Sequence, residues 1–388
     1  MRWSILLVCA VLSACGTQPI AQPGPDHFFN DAAFRARAIP VDIDVFVLSQ
    51  AMRRFLHSEI GSQFEIGSQL RRKDHLGGLV DALRNRAQLK LEFDSTVTRT
   101  AAEAFDLRAG NCLSLVIMTA ALAKELGLRV YYQRVYADET WSRDGDILFR
   151  SGHVNLILRP RLGGWNLLSD HGQGITIDFL PLEDVRGYRT RPIEERTVIA
   201  MFMNNRAAES LARGQVDDAY WWAREAISHD SGLLEAYNTL GVVYRRHGNL
   251  GEAERVYRRL LEHEPENPTV ISNLAAVLKT AGQLEAAQAL LQKLHRIEPY
   301  PPFHFLDQAQ VALKRGDFKA AIGLFNQELA RDPSYHAAHF GLAAAYFQLG
   351  DFASAREHLT AAMENSTTRR DHELYAAKLD RLRSYQVR

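Results

Sequence analysis

The spacing of apolar positions changes twice along this chain of 388 residues. Over residues 42–105, and again from about residue 200 onward, apolar side chains recur every three or four positions, which predicts helices. Between residues 129 and 179 they form short apolar runs bounded by polar and glycine residues, which predicts strands. The order of helices and then a sheet predicts an α+β domain over residues 42–198, and the remainder predicts an all-α second half.

The second half repeats at one period. Five glycines stand 34 residues apart, at Gly214, Gly248, Gly282, Gly316 and Gly350. Each glycine suits a turn between two helices because it takes a positive φ without steric cost, and an alanine five positions later lets the helices approach closely. The period and these residue types resemble tetratricopeptide repeats. The resemblance implies an all-α tetratricopeptide solenoid of five repeats over residues 199–366, with a capping helix over 367–388.

The repeats predict a macromolecular partner. Stacked repeats normally present a groove to an extended or helical segment, so we expect a protein or peptide substrate in the tetratricopeptide groove. Repeat four opens differently from the others, with the aromatic and proline-rich run from Tyr300 to Phe305. That run predicts either a kink or groove lining in the superhelix, or side chains that fill a gap in the core.

The first domain contains one cysteine, Cys112, which opens a nearly uninterrupted apolar helix that Gly127 ends. At a helix N-terminus the macrodipole and the unpaired N–H groups favour a thiolate, so the position predicts a lowered thiol pKa and donors for an oxyanion. His153 begins a later strand, directly after Gly152. We expect its imidazole to lie at the end of the sheet that faces Cys112, where it can take the thiol proton.

A family resemblance covers roughly residues 75–185. The run through Gly110 and Cys112, followed by the segments GHVNLIL and ITIDF, resembles the transglutaminase-like superfamily of cysteine enzymes. The resemblance implies an α+β papain-like/transglutaminase-like core, with Cys112 as nucleophile, His153 as general base and acid, and an aspartate that orients the imidazole. It also implies a peptidase, amidase or acyltransferase that acts through an acyl-enzyme.

Two aspartates compete for the orienting role. Asp178 lies inside an apolar strand, where a buried carboxylate needs a partner such as imidazolium, and it is the preferred candidate. Asp170 lies in a polar run, and a hairpin centred on residues 162–163 would place it across from His153. Asn155 shares a strand face with His153 by alternation, and it is either a satisfied core polar group or a support for the site.

Motifs for other chemistry do not occur. The sequence has no HExxH or CxxC spacing and no P-loop or dinucleotide-binding glycine motif after a strand, so neither a metal nor a cofactor is expected. Lys and Arg total 46 and Asp and Glu total 46, and no basic stripe is interleaved with aromatic residues. Nucleic acid is therefore not expected as a partner.

The first 41 residues indicate secretion and a lipid anchor. Arg2 precedes an apolar run that is too short to span a bilayer, which is typical of a signal peptide, here residues 1–14. The sequence LSAC, which ends at Cys15, resembles the lipobox of bacterial lipoproteins. That resemblance implies a mature chain that begins at Cys15 and reaches the membrane through lipid on its thiol. The proline- and glycine-rich start of residues 15–41 predicts a flexible tether.

The same end of the chain predicts location and function. Gly16 stands in place of the aspartate that implies inner-membrane retention in enterobacterial lipoproteins, so the implied location is the outer membrane, facing the periplasm. Cys9 would leave with the signal peptide and Cys15 would carry lipid, so Cys112 would be the only free thiol. Two functions remain open. One is a membrane-anchored cysteine enzyme whose repeats recruit a protein substrate, and the other is a non-catalytic periplasmic adaptor that scaffolds envelope proteins.

Overall fold

A computed structural model shows helices followed by a sheet and then by a long helical array. The structure describes residues 25–40, 43–61, 75–84, 89, 91–144, 147–160, 174–179, 189–366 and 368–385. The predicted signal peptide, the predicted lipidation site Cys15 and the alternative carboxylate Asp170 lie outside these ranges.

The first domain is built around one buried helix. Its helical elements are α1 (Gln50–Phe55), a π-helical turn (Leu56–Gly61), α2 (His75–Arg84), α3 (Ala101–Leu107) and α4 (Cys112–Glu125). Every residue from Leu113 to Ala123 in α4 is buried. A helix that is apolar on all sides needs this position, because no face of it suits water. The helix ends where Gly127 takes a φ of 72°.

The strands of the first domain form two sheets. They are β1 (Glu92–Phe93), β2 (Ala109–Gly110), β3 (Arg129–Asp144), β4 (Ile147–Arg159), β5 (Ile175–Ile177) and β6 (Arg189–Ile193). β1 and β2 are parallel, and the other four form an antiparallel sheet in the order β5-β4-β3-β6. In this register His153 lies opposite Val135, and Leu156 lies opposite Ile177. The described part of the domain therefore has the helix-then-sheet order that the sequence predicts.

The second half consists of helix pairs with a final helix. The pairs are α5 (Glu195–Ala212) and α6 (Val216–His229), α7 (Leu234–His247) and α8 (Leu250–His263), α9 (Pro268–Thr280) and α10 (Leu284–Ile297), α11 (His304–Lys314) and α12 (Phe318–Leu329), and α13 (His336–Gln348) and α14 (Phe352–Glu364), followed by α15 (Arg369–Tyr385). The five turn glycines all have positive φ, between 74° and 93°. The 34-residue period therefore corresponds to one helix pair.

One continuous apolar core joins the first domain to the array. It runs from Phe28 through α4 and the sheet to α9, and ends at Ala287 of α10. Helix α5 contacts α4 and β3 on one side and α6 on the other. Two smaller cores follow, one around Phe303, Phe325 and Leu342, and one around Leu359 and Tyr375. The first repeats thus share the core of the first domain, and the last two have cores of their own.

Residues 25–40 lie against the first two repeats, although the sequence predicts a flexible tether there. Phe28 and Phe34 are buried. The ring of Phe34 stacks on Tyr220 of α6, with centroids 3.9 Å apart, and the Tyr244 hydroxyl of α7 donates to the Phe28 carbonyl at 2.6 Å. Phe28 and Phe34 supply the apolar surface that holds this segment against the repeats. The tether prediction is therefore corrected for residues 28–37.

The described residues include no helix that is both long enough and apolar enough to cross a membrane.

Candidate active site

The chain directly before Cys112 is held by a helix cap and a close backbone approach. The Asn111 side-chain oxygen accepts from the Ser114 amide at 2.9 Å and from the Ser114 hydroxyl at 2.8 Å, so Asn111 is the N-cap of α4. A Cβ added at Gly110 would lie 2.7 Å from the Ser114 Cβ. Glycine at this position is therefore needed to let the chain turn into α4, and this places Cys112 in the first turn.

His153 of β4 and Asp178, the residue directly after β5, form a buried pair. The His153 Nε2 atom lies 2.6 Å from Asp178 Oδ1, and the two side chains are 7% and 3% exposed. Asn155 lies two residues further along β4, and its side-chain amide donates to the second oxygen, Oδ2, at 2.9 Å. Asp178 is thus held by both residues that alternate onto this face of β4. The structure brings the preferred aspartate to His153.

The thiol of Cys112 has a higher pKa than the sequence predicts. Burial raises the pKa of Cys112 to about 12, and the negative charge of Asp178 adds to the rise. The Cys112 backbone N–H lowers the pKa, as expected at a helix N-terminus, but it does not offset the loss of hydration. The sequence predicts a lowered thiol pKa, and in this respect it is wrong, because burial raises the pKa of Cys112.

A network of hydrogen bonds connects the cap of α4 to the first repeat. The Asn111 side-chain amide donates to the Thr98 hydroxyl at 2.8 Å, and the Thr98 amide donates to Glu209 Oε1 of α5 at 2.6 Å. Arg206, also on α5, donates to Glu209 Oε2 at 3.1 Å. Thr98 is fully buried. Asn111, the N-cap of α4, is thus connected through Thr98 to α5.

Sequence reasoning missed Glu209, although a signal for it exists. Glu209 stands five residues before a turn glycine, and the equivalent positions in the other four repeats are apolar: Val243, Val277, Val311 and Ala345. A carboxylate where the repeat otherwise has a small apolar side chain indicates a local polar partner. Burial raises the pKa of Glu209, while the bonds from Thr98 and the charge of Arg206 act in the opposite direction.

The aromatic run that opens repeat four serves both roles that the sequence leaves open. Phe303 is buried in the core of repeat four. Tyr300 is exposed, and together with Phe305 it lines a groove of about 470 Å³. The rest of that groove is formed by the end of α10 and the end of α12.

No group of three or more His, Cys, Asp or Glu side chains within the described ranges could hold a metal ion.

Comparisons with known proteins identify the second half of the chain. One family model described as a tetratricopeptide repeat matches residues 244–302, and another with the same description matches residues 306–368. The prediction of tetratricopeptide repeats is confirmed for this region.

Solved structures are similar to part of the chain. TTC0263, a thermophilic TPR protein of Thermus thermophilus, is 20% identical over 46% of this chain and 98% of its own, with a TM-score of 0.29. MamA 41-end of Desulfovibrio magneticus RS-1 is 20% identical over 44% of this chain and 96% of its own, with a TM-score of 0.26. The comparison with curated proteins finds no match.

Proposed function

We propose that this protein is a scaffold that binds a protein segment through its tetratricopeptide repeats. The observation that carries the proposal is the array of helix pairs from α5 to α14, because stacked pairs of this kind present extended surfaces to protein segments. Repeats one and two are already covered in part by the rest of the chain. Residues 25–40 lie on α6 and α7, and Arg134 of β3 forms an ion pair with Glu235 of α7. The partner surface is therefore assigned to repeats three to five.

The groove beside Tyr300 is the site to test. Tyr300 is 53% exposed, and an exposed tyrosine beside a half-buried phenylalanine gives an anchor of the kind that interfaces use. The experiment captures binding partners on immobilised wild-type protein, on Tyr300→Ala and on Leu374→Ala. Leu374 is 45% exposed on α15 and serves as the matched control. We expect a partner that wild type and Leu374→Ala retain and Tyr300→Ala loses. Equal capture by all three proteins, or none by wild type, would contradict the proposal.

A second function, a cysteine acyl-transfer enzyme, is favoured by the His153–Asp178 pair. Since Nε2 of His153 bonds to Asp178, Nδ1 is the ring nitrogen left to take a proton from Cys112. The raised pKa of the Cys112 thiol favours a mechanism in which His153 acts as a general base during the attack.

The reaction follows from these roles. The Cys112 sulfur bonds to an amide carbonyl carbon while its proton passes to His153, and the backbone N–H groups of Cys112 and Leu113 at the start of α4 stabilise the oxyanion. The C–N bond then breaks, and the amine leaves with the proton from the imidazolium. A thioester on Cys112 remains. Water, or an amine, then attacks the thioester carbon and donates its proton to His153. The C–S bond breaks, and the imidazolium returns that proton to the Cys112 sulfur. Whether water or an amine resolves the thioester decides between hydrolysis and acyl transfer.

The acyl-enzyme can be trapped directly. A chain beginning at Gln18 has Cys112 as its only cysteine. Incubation with a p-nitrophenyl ester should give a burst of nitrophenolate and a mass increase on Cys112, and both should be lost in His153→Ala and reduced in Asp178→Asn. If wild type and His153→Ala acylate at the same rate, the enzyme proposal fails and the scaffold proposal stands alone.

The lipid anchor is also a proposal, supported by the LSAC sequence that ends at Cys15. Eleven peptide units separate Cys15 from Asp26, so a lipid on Cys15 would hold the docked segment within about 40 Å of the membrane surface. Membrane fractionation tests this. Cys15→Ala should move the protein out of the membrane fraction, and unchanged membrane association would contradict lipid attachment at this residue.

A further inference from the structure

The junction between repeats three and four is open. Elsewhere in the array the second helix of a repeat packs against the first helix of the next, as α6 does on α7, α8 on α9 and α12 on α13. Helices α10 and α11 are both described in full, yet they barely contact each other. The apolar core divides at the same place, since the first core ends at α10 and the next begins at Phe303.

Leu291 of α10 is one half of the missing contact. The residues at this position in the other four repeats are 0–5% exposed: Ala223, Tyr257, Phe325 and Leu359. Leu291 is 48% exposed. In repeat four the equivalent residue is Phe325, and its ring packs closely on the first helix of repeat five. A Cβ added at Gly341 of that helix, α13, would lie 2.2 Å from the Phe325 ring. This position therefore contacts the first helix of the following repeat, and Leu291 lacks that helix.

Val311 of α11 is the other half. Three of its equivalents are completely buried: Val243, Val277 and Ala345. Val311 is 45% exposed. Both sides of one standard repeat junction are thus present in the chain, and both face outward. Leu284 extends the exposed apolar face of α10, at 63% exposure.

The connection between α10 and α11 is fixed to repeat four. It contains Pro299, Pro301 and Pro302, which restrict the backbone. Arg331, two residues after the end of α12, donates to the Pro301 carbonyl at 3.1 Å and forms an ion pair with Glu298. Phe303, which follows Pro302, takes a φ of 65° and is buried. These contacts oppose closure of α11 onto α10 within one chain.

We propose that a second copy of this chain covers the open junction, with α10 of each copy packed against α11 of the other. Every copy carries both the α10 face around Leu291 and the α11 face around Val311. The equivalents of these two residues are buried in the other repeats, so the two faces should fit each other. The reciprocal arrangement closes with two-fold symmetry, and burial of Leu291 and Val311 drives it. The inference does not depend on either proposed function.

Sedimentation velocity of the full chain over the micromolar range tests the proposal. Wild type should form a concentration-dependent dimer, while Leu291→Glu and Val311→Arg should both be monomers at all concentrations. Leu349→Glu is the matched control, because Leu349 is 46% exposed at the end of α13, and this variant should dimerise as wild type does. A wild type that stays monomeric throughout would overturn the proposal.

Mixing the two monomeric variants gives the sharper result. In a reciprocal pair, one junction then joins the introduced carboxylate to the introduced guanidinium, and the other junction is entirely wild type. The mixture should therefore recover a dimer that neither variant forms alone. Because a misfolded variant could not be rescued in this way, recovery also shows that both variants are folded. No recovery, or dimers in either single variant, would overturn the assignment of the interface to α10 and α11.

Discussion

Repeats one and two and repeats four and five have the same helix-pair template but opposite surroundings. The first two share an apolar core with α4 and the sheet, and residues 25–40 cover part of them. The last two have small cores of their own beyond an open junction. The repeat pattern thus determines the helix pairs, whereas the neighbours of each pair determine which surfaces remain available to a partner.

The largest expected difference between the two regions is in stability. Phe202 of α5 and Phe325 of α12 are each 1% exposed, so truncation of either to alanine should cost about 3–5 kcal/mol. All five tryptophans precede residue 223, so tryptophan fluorescence follows only the first region, whereas circular dichroism follows every helix. Denaturant titration of Phe325→Ala should shift the circular dichroism transition and leave the fluorescence transition in place. Phe202→Ala should shift both. A fluorescence shift in Phe325→Ala would show that the regions are not separate.

Glu209 gives the next largest effect, because it connects the first repeat to the cap of α4. Glu209→Val installs the residue that three other repeats carry and leaves the buried Thr98 amide without its acceptor, at a cost of about 1–3 kcal/mol. The measurement is the free energy of unfolding followed by fluorescence. Glu262→Val removes a carboxylate that is paired with Arg259 on the surface, and should change stability by less than about 1 kcal/mol. Equal effects of the two variants would contradict a structural link at Thr98.

The sequence predicts those features of the structure that depend on residues close together in the chain, and it does not predict those that depend on distant residues. The helix pairs are predicted because each turn glycine and its alanine act within one 34-residue unit. Asp178 is predicted because a carboxylate in an apolar strand needs a nearby partner. The docking of Phe34 onto Tyr220 joins residues 186 positions apart, and no local pattern around Phe34 indicates which distant surface it contacts. The pKa of Cys112 depends on burial by the whole domain, which a helix start alone does not reveal.

The contacts of residues 25–40 with the first two repeats should contribute less to the free energy of unfolding than Glu209 does. Tyr244→Phe removes the hydroxyl that donates to the Phe28 carbonyl, at a cost of about 0.5–1.5 kcal/mol, and should speed proteolysis between residues 25 and 40. Tyr257→Phe is the control, because in the described part of the chain the buried Tyr257 hydroxyl has no hydrogen-bond partner. Removal of the Tyr257 hydroxyl should leave the free energy of unfolding unchanged or raise it. If Tyr244→Phe leaves proteolysis unchanged, the segment is not held by this bond.

The smallest effect is a pH dependence confined to the last repeat. Burial and the neighbouring His339 lower the pKa of His358 below 6.5, and the two Nδ1 atoms lie 3.1 Å apart. The folded state therefore favours neutral His358. Its contribution to stability is complete above about pH 6.5 and is lost as the pH falls below that value. Thermal unfolding of the α13–α14 region, followed by circular dichroism, should begin earlier at about pH 5 than at about pH 8. His358→Gln should reduce that difference, and an unchanged pH dependence would exclude this pair as its source.

Native-state hydrogen exchange of the wild-type chain tests the division between the two regions most directly. If the first repeats belong to the core of the first domain, the amides of α4, α5 and α7 should exchange together as one slow unit, and those of α11 to α14 should exchange earlier as a separate unit. The contradictory result is an array in which α5 to α14 open together while α4 opens independently. That outcome would mean that the shared core does not join the domain to its first repeats.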